Sequence, residues 1–145
     1  MAENTYPESV AASMAGVTAR QLGLWRRDLQ IIAASDSEPT EGQSGWGGAR
    51  RPVLYAGREV ALARFYAALL SVGVTAGELE KRFGAGRFRD VPGVLFPWPI
   101  QRVETNGLAV TSVSFLAFGR SLKSAHIVSV EALTSDDGIG RFRAT

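Results

Sequence analysis

The amino-terminal fold is predicted from residues 5–29, which read TYPESVAASMAGVTARQLGLWRRDL. In a capping box, Ser or Thr begins a helix and Glu or Gln follows three residues later, so that each side chain satisfies a backbone N–H of the first turn. This pattern occurs twice in the stretch, at residues 5–8 and 18–21. The sequence therefore predicts one helix over roughly 6–15 and a second over about 19–29.

The connection between these two helices has the residues of a tight turn. Gly16 permits a sharp backbone bend, and Val17 would fill the corner before Thr18 caps the second helix. Leu22 and Trp25 form an apolar stripe at helical spacing, so this face is predicted to point inward. Small side chains on the first helix allow a close approach of the second: Ala11, Ala12 and Ala15. These features are typical of a helix-turn-helix, whose second helix enters the DNA major groove.

Polar residues on the other face of the second helix are candidates for DNA contact. Arginine matches the hydrogen-bonding edge of guanine and glutamine that of adenine, so Arg20 and Gln21 are the predicted base-reading residues. Thr18 would touch a phosphate as well as cap the helix, and Arg27 would hold the DNA backbone. The alternative interpretation is a charged helix face that is only solvated.

A loop and two further helices follow. Residues 35–52 are rich in Ser, Gly, Pro and Glu, a composition typical of a long mobile loop. Apolar residues at helical spacing predict a third helix over about 58–72 that ends near Gly73. Another capping box at residues 75–78 predicts a fourth helix that begins just after Thr75.

Two motifs relate this arrangement to known proteins. After Ala-Gly-Val the chain has Thr18-x-x-x-Leu22-x-x-Trp25, and residues 54–83 read LYAGREVALARFYAALLSVGVTAGELEKRF. In order and spacing, these motifs resemble the DNA-binding domain of MerR-type regulators over about residues 6–83. The resemblance implies a winged helix-turn-helix, in which a hairpin wing and then a helix pair follow the helix-turn-helix.

The resemblance also implies contacts from the wing to the DNA backbone. Tyr55 stands where the closing tyrosine of the wing is expected, and Arg50 and Arg51 flank the wing. The chain departs from the family's pattern at Gly23, where an arginine is usual, and at Arg26, where an acidic residue is usual. Its remaining part lacks the long dimerisation helix and the cysteines of effector-sensing members, so no metal or thiol sensor is expected. Short phage or toxin–antitoxin regulators and excisionase-like proteins fit better.

The carboxy-terminal part has the pattern of strands and turns. Asn106-Gly107 is a strong signal for a hairpin turn between two such runs. The sequence predicts a small antiparallel sheet of three or four strands within 91–134, packed on the helices or on a second subunit. The predicted strands include residues 94–96, 100–105, 108–118 and 126–133. Residues 135–145 are predicted to be a flexible tail in which Arg141 and Arg143 add a weak phosphate contact.

Composition limits the chemistry available to the chain. Its 145 residues are 46% hydrophobic, enough for one domain of ordinary size. With no cysteine and a single histidine, His126, neither disulfides nor thiol catalysis nor a metal site is expected. The GxGRF stretches at 84–88 and 138–142 lack the residues of a phosphate loop. We therefore expect no enzyme activity and no cofactor.

Charge and hydropathy bear on partners and location. No apolar run approaches the roughly 18 residues of a membrane span, and the first ten residues lack the pattern of a secretory signal. We therefore expect a cytoplasmic protein with no membrane partner. The net charge is only +2, but it is carried mostly by arginine, which suits phosphate and guanine. A genome of high GC content would enrich arginine equally well.

These observations predict an α+β fold, with a winged helix-turn-helix of about four helices over 5–84 and the small sheet after it. The leading hypothesis is a bacterial or phage transcriptional regulator that binds double-stranded DNA sequence-specifically as a homodimer. The alternative is a protein-interaction module of a phage accessory or antitoxin type, acting in packaging, excision or toxin neutralisation. In that case the carboxy-terminal sheet would hold the protein partner.

Overall fold

The computed structural model describes residues 4–34, 53–85, 87–89, 110–118, 126–133 and 135–145. Within these ranges the fold is mixed α+β, with four α-helices and two small antiparallel sheets. The helices are α1 (Glu8–Ala15), α2 (Ala19–Arg27), α3 (Gly57–Ser71) and α4 (Ala76–Phe83), and a short 3₁₀ turn covers Arg87–Arg89. The strands are β1 (Thr5–Pro7), β2 (Leu54–Ala56), β3 (Val110–Phe118), β4 (His126–Leu133) and β5 (Arg141–Ala144).

The amino-terminal ends of α2 and α4 are capped as the sequence predicts. The Thr18 hydroxyl accepts a hydrogen bond from the Gln21 backbone N–H at 3.0 Å. The Thr75 hydroxyl accepts from the Glu78 backbone N–H and donates to the Glu78 carboxylate, both at 3.2 Å. Gly16 ends α1 in the left-handed region, with φ of 74°, as a sharp turn between two helices requires.

The predicted capping box at residues 5–8 is wrong. Thr5 lies in β1, which pairs antiparallel with β2 so that Thr5 is opposite Ala56. Helix α1 therefore begins at Glu8, and Pro7 precedes it without a side-chain cap. The segment before α1 pairs with β2 and does not cap the helix. The Glu8 carboxylate accepts hydrogen bonds from side chains on α2 and β2.

Helix α3 forms the centre of the core. Tyr66 packs edge-to-face on Trp25 of α2 at a centroid distance of 5.7 Å. Phe65 makes similar contacts with Phe83 of α4 at 5.8 Å and with Phe142 of β5 at 5.7 Å. Each such pair adds about 0.5–1.5 kcal/mol to the free energy of burial. One aromatic cluster thus joins α2, α4 and β5 to α3.

The second sheet has the strand order β3-β4-β5 and packs one face on the helices. The buried residues of this face belong to the same core as α3: Leu116, Phe118, Val128, Val130 and Ala132. On the other face Phe115 is 73% exposed and Ile127 is 66% exposed. The predicted strands at 94–96 and 100–105 and the Asn106-Gly107 turn lie outside the described residues.

The prediction of a flexible tail at 135–145 is contradicted, because this segment supplies β5. Strand β5 pairs with β4, with Phe142 opposite Ala132 and Arg143 opposite Glu131. Phe142 is inserted toward α3, whereas Arg143 forms an ion pair with Glu131. The tail is ordered by packing against a helix about 75 residues earlier in the chain, a contact that its own short sequence does not reveal.

Candidate nucleic-acid interface

Helices α1 and α2 are joined by a tight turn at Gly16 and Val17. The turn is closed by a hydrogen bond from the Val17 N–H to the Ala12 carbonyl at 3.0 Å. The small residues between the helices are buried: Ala11, Ala12 and Ala15. Leu22 and Trp25 are also buried, so the inward stripe of α2 is confirmed and its orientation relative to α1 is fixed.

Three predicted site residues, Arg20, Gln21 and Arg27, lie on the opposite face of α2, and the fourth, Thr18, caps its amino-terminal end. Thr18, Arg20 and Arg27 are exposed, and Gln21 is half-buried beside them. Leu24 lies among these residues and is 39% exposed. The helix has nine residues, and its free N–H groups and dipole favour an anion at the end where Thr18 and Arg20 lie. This face can therefore accept both phosphate contacts and base edges.

Tyr55 is predicted from the sequence to contact the DNA backbone, but it lies in the core. Its hydroxyl donates to the Glu8 carboxylate at 2.6 Å and accepts from Arg26 Nε at 3.0 Å. Burial and the hydrogen bond to Glu8 raise the pKa of the Tyr55 hydroxyl well above its usual value, so the hydroxyl keeps its proton at neutral pH. Tyr55 is thus a positioning residue, and phosphate cannot reach it.

Arg26 is the functional residue that sequence reasoning missed. Its Nη2 atom donates to the same Glu8 oxygen at 3.3 Å, in a partly buried ion pair. The Glu8–Arg26–Tyr55 cluster therefore connects the start of α1, the last turn of α2 and β2. The signal in the sequence was the departure from the MerR-type pattern at position 26, and the cation found there suits the carboxylate of Glu8.

Gly23 has a physical reason of its own. It is buried within α2, and a Cβ atom there would lie 2.9 Å from Arg27 Nη2 and 3.4 Å from Glu8 Oε1. Arg27 folds back over this position and donates from Nε to the Gly23 carbonyl at 3.3 Å. A side chain at position 23 would therefore displace the flexible end of Arg27 and come into van der Waals contact with Glu8.

The remaining predicted contacts come from the wing. Arg50 and Arg51, like the loop at 35–52, lie outside the described residues. β2, which follows them in the chain, is paired with β1 along its whole length. The structure thus brings Thr18, Arg20, Gln21 and Arg27 together and separates Tyr55 from them.

Comparisons with protein-family models, with curated proteins and with solved structures find no match. The resemblance to MerR-type regulators therefore stays a prediction from the residues of this chain. None of the helices in the described ranges is long and apolar enough to cross a membrane. In the same ranges no three His, Cys, Asp or Glu residues come together as a metal site would require.

Proposed function

We propose that this chain is a sequence-specific, double-stranded DNA-binding transcriptional regulator of the winged helix-turn-helix type. The observation that carries the proposal is the outward face of α2, which presents Arg20, Gln21 and Arg27 on a helix that Thr18 caps and that follows α1 through a tight turn. An α-helix with side chains fits the major groove, and a helix-turn-helix presents the amino-terminal residues of its second helix to base edges.

Each residue on this face has a separate task. Arg20 reads guanine by a bidentate hydrogen bond, and Gln21 reads adenine. Thr18 accepts the Gln21 N–H, which leaves its hydroxyl proton to donate to a phosphate. Arg27 binds the DNA backbone, together with Arg50 and Arg51 of the wing.

The Glu8–Arg26–Tyr55 cluster supports the proposal by holding α2 in place. It joins α2 to α1 and to β2 with three hydrogen bonds. β2 follows the predicted wing segment in the chain, and the same cluster ties β2 to the proposed recognition helix. A recognition helix held in one orientation loses little conformational entropy when it binds, which favours specific over nonspecific association.

The test begins with selection of bound sequences from a random duplex library by the full chain. Binding to the selected duplex is then measured by fluorescence anisotropy, against a scrambled duplex of equal composition and at two salt concentrations. We expect the selected duplex to bind at least about a thousandfold tighter, within the usual range of specific over nonspecific affinity, and both affinities to fall with salt. Equal, weak binding to both duplexes would contradict the proposal.

A second candidate function is favoured by the outer face of the β3-β4-β5 sheet. Phe115 and Ile127 are exposed there, and the register places Phe115 opposite Ser129 and Ile127 opposite Ala117, so the two apolar side chains are neighbours. Exposed apolar neighbours are typical of protein–protein contacts. In this alternative the chain is an antitoxin-type or phage accessory protein whose sheet binds a protein. Failure of duplex binding in the test above would favour it.

A further inference from the structure

We propose that Leu24 determines specificity by contacting the 5-methyl group of a thymine in the major groove. The bound sequence would then contain a thymine among the base pairs that Arg20 and Gln21 read. This inference rests on the proposed function and adds to it a base that no hydrogen-bonding residue of α2 would select.

The position of Leu24 on α2 supports a contact with a base. Successive residues turn by about 100° around an α-helix. Viewed along α2, Arg20 and Arg27 therefore lie about 40° and 60° to one side of Leu24, and Asp28 and Gln21 lie about 40° and 60° to the other. Leu24 is thus the midpoint of the exposed arc. A helix that lays this arc in a groove brings Leu24 to the groove floor, where the base edges are.

The apolar side chain of Leu24 favours a thymine as the base that it contacts. Leu24 has no hydrogen-bonding group, yet it is 39% exposed between cations and polar residues. Base edges in the major groove present hydrogen-bond donors and acceptors, and the thymine methyl is the apolar group among them. An apolar side chain at this point therefore gains free energy over thymine and loses it over a base whose polar edge it would desolvate.

The charged residues on either side of Leu24 determine where a phosphate can lie. Asp28 is exposed next to Leu24 on one side of the arc, and its carboxylate repels a phosphate there. Arg27, which is assigned to the DNA backbone, lies on the other side. This asymmetry directs the phosphate contact toward Arg27 and leaves Leu24 over the bases, beside the base pair that Arg20 reads.

The experiment replaces thymine by uracil, which differs only by the missing 5-methyl group. The duplex selected by the full chain is prepared with thymine and with uracil throughout, and then with single uracils at each thymine position. We expect the wild-type chain to bind the all-uracil duplex about four- to fifteenfold more weakly, the effect of one or two buried methyl groups, with the loss confined to one position per half-site. Leu24→Ala should bind the thymine duplex more weakly and no longer distinguish it from the uracil duplex.

Val10→Ala is the matched control, because Val10 is the other exposed large hydrophobic residue of this helix pair, at 44%, and lies on α1. It should keep the wild-type sensitivity to uracil, and circular dichroism should give both variants the wild-type helical signal. Specific binding that is equal for thymine and uracil, or a Leu24→Ala variant that still distinguishes them, would overturn the role of Leu24 and leave the proposed function intact. Absence of any sequence preference in the wild-type chain would overturn both.

Discussion

The hydroxyl group of Tyr55 is important for the structure. The hydroxyl is the centre of the Glu8–Arg26–Tyr55 cluster, since it donates to Glu8 and accepts from Arg26. A buried hydroxyl with both functions occupied is costly to remove, because its partners lose a hydrogen bond without regaining water. The orientation of α2 thus depends on a residue that does not belong to α2.

Tyr55→Phe removes this hydroxyl and leaves the aromatic ring in the core. We expect the free energy of unfolding to fall by about 1–3 kcal/mol, the usual cost of an unsatisfied buried partner. Urea denaturation of the wild-type and variant chains measures the difference. Tyr6→Phe is the control, since the Tyr6 hydroxyl lies outside the cluster. Equal midpoints for Tyr55→Phe and Tyr6→Phe would show that the cluster adds no stability.

At the scale of the elements, α2 and α4 begin where the sequence predicts because a helix cap is local. The Thr18 and Thr75 hydroxyls accept hydrogen bonds from backbone N–H groups three residues later. The capping residue and its partner therefore lie within the same short stretch of sequence. Residues 5–8 match the capping-box pattern equally well, but they pair with β2, which lies about 50 residues further along the chain. Strand pairing at a distance overrode a local preference there.

The two faces of the β3-β4-β5 sheet give a prediction for this element. Phe118 is buried and also lies under the Arg82 guanidinium at 5.2 Å from its ring centroid, whereas Phe115 is exposed on the opposite face. Phe118→Ala should lower the free energy of unfolding by about 3–5 kcal/mol, the cost of a cavity in the core. Phe115→Ala, the matched control, should cost less than about 1 kcal/mol, because its ring is mostly hydrated in the folded chain. Thermal and urea unfolding measure both, and similar losses would contradict the orientation of the sheet.

At the scale of the whole molecule, one ion pair joins the carboxy-terminal turn to the helices. Arg64 of α3 donates from Nη2 to Asp137 Oδ2 at 2.6 Å, and from Nε to the Met14 carbonyl of α1 at 3.0 Å. The hydrogen bonds from Arg64, chief among the favourable contacts, hold the pKa of the Asp137 carboxyl well below its usual range. Helix α1, helix α3 and the turn before β5 are therefore fixed by a single arginine.

This pair makes the stability of the fold depend on pH. Because the folded-state pKa of Asp137 is lowered, its contribution is complete above the unfolded-state pKa of about 4 and is lost as the pH falls below that value. Asp137→Asn should lower the free energy of unfolding at pH 7 by about 1 kcal/mol, since solvent screens this partly exposed carboxylate. The difference from wild type should shrink between pH 4 and pH 2. Urea denaturation across this range measures it.

The exposed neighbour gives the control for this pair. Asp136→Asn changes the net charge by the same amount, so it separates the specific pair from the general effect of charge. It should leave the stability at pH 7 near the wild-type value. An Asp137→Asn difference that stays constant down to pH 2, or that Asp136→Asn reproduces, would contradict the role assigned to Asp137.

The helices could be predicted from the sequence more completely than the strands. Leu22, Trp25 and the apolar residues of α3 carry a periodicity that assigns their faces directly. The candidate site was only partly predictable, because Arg20 is exposed as expected whereas the burial of Tyr55 depends on partners in α1 and α2. Strand β5 has four residues, and its Phe142 is partly buried because it packs on Phe65 of α3, which lies far away in the sequence.

The proposed function requires the outward face of α2 to read base pairs. The most direct measurement is a base-by-base affinity profile, in which each position of the selected duplex is replaced in turn and binding is compared for wild type, Arg20→Ala and Lys81→Ala, an exposed cation on α4. Arg20→Ala should lose about 1–3 kcal/mol of discrimination at one base pair and keep the rest of the profile, while Lys81→Ala keeps the whole wild-type profile. An Arg20→Ala profile identical to that of the wild-type chain would contradict the claim.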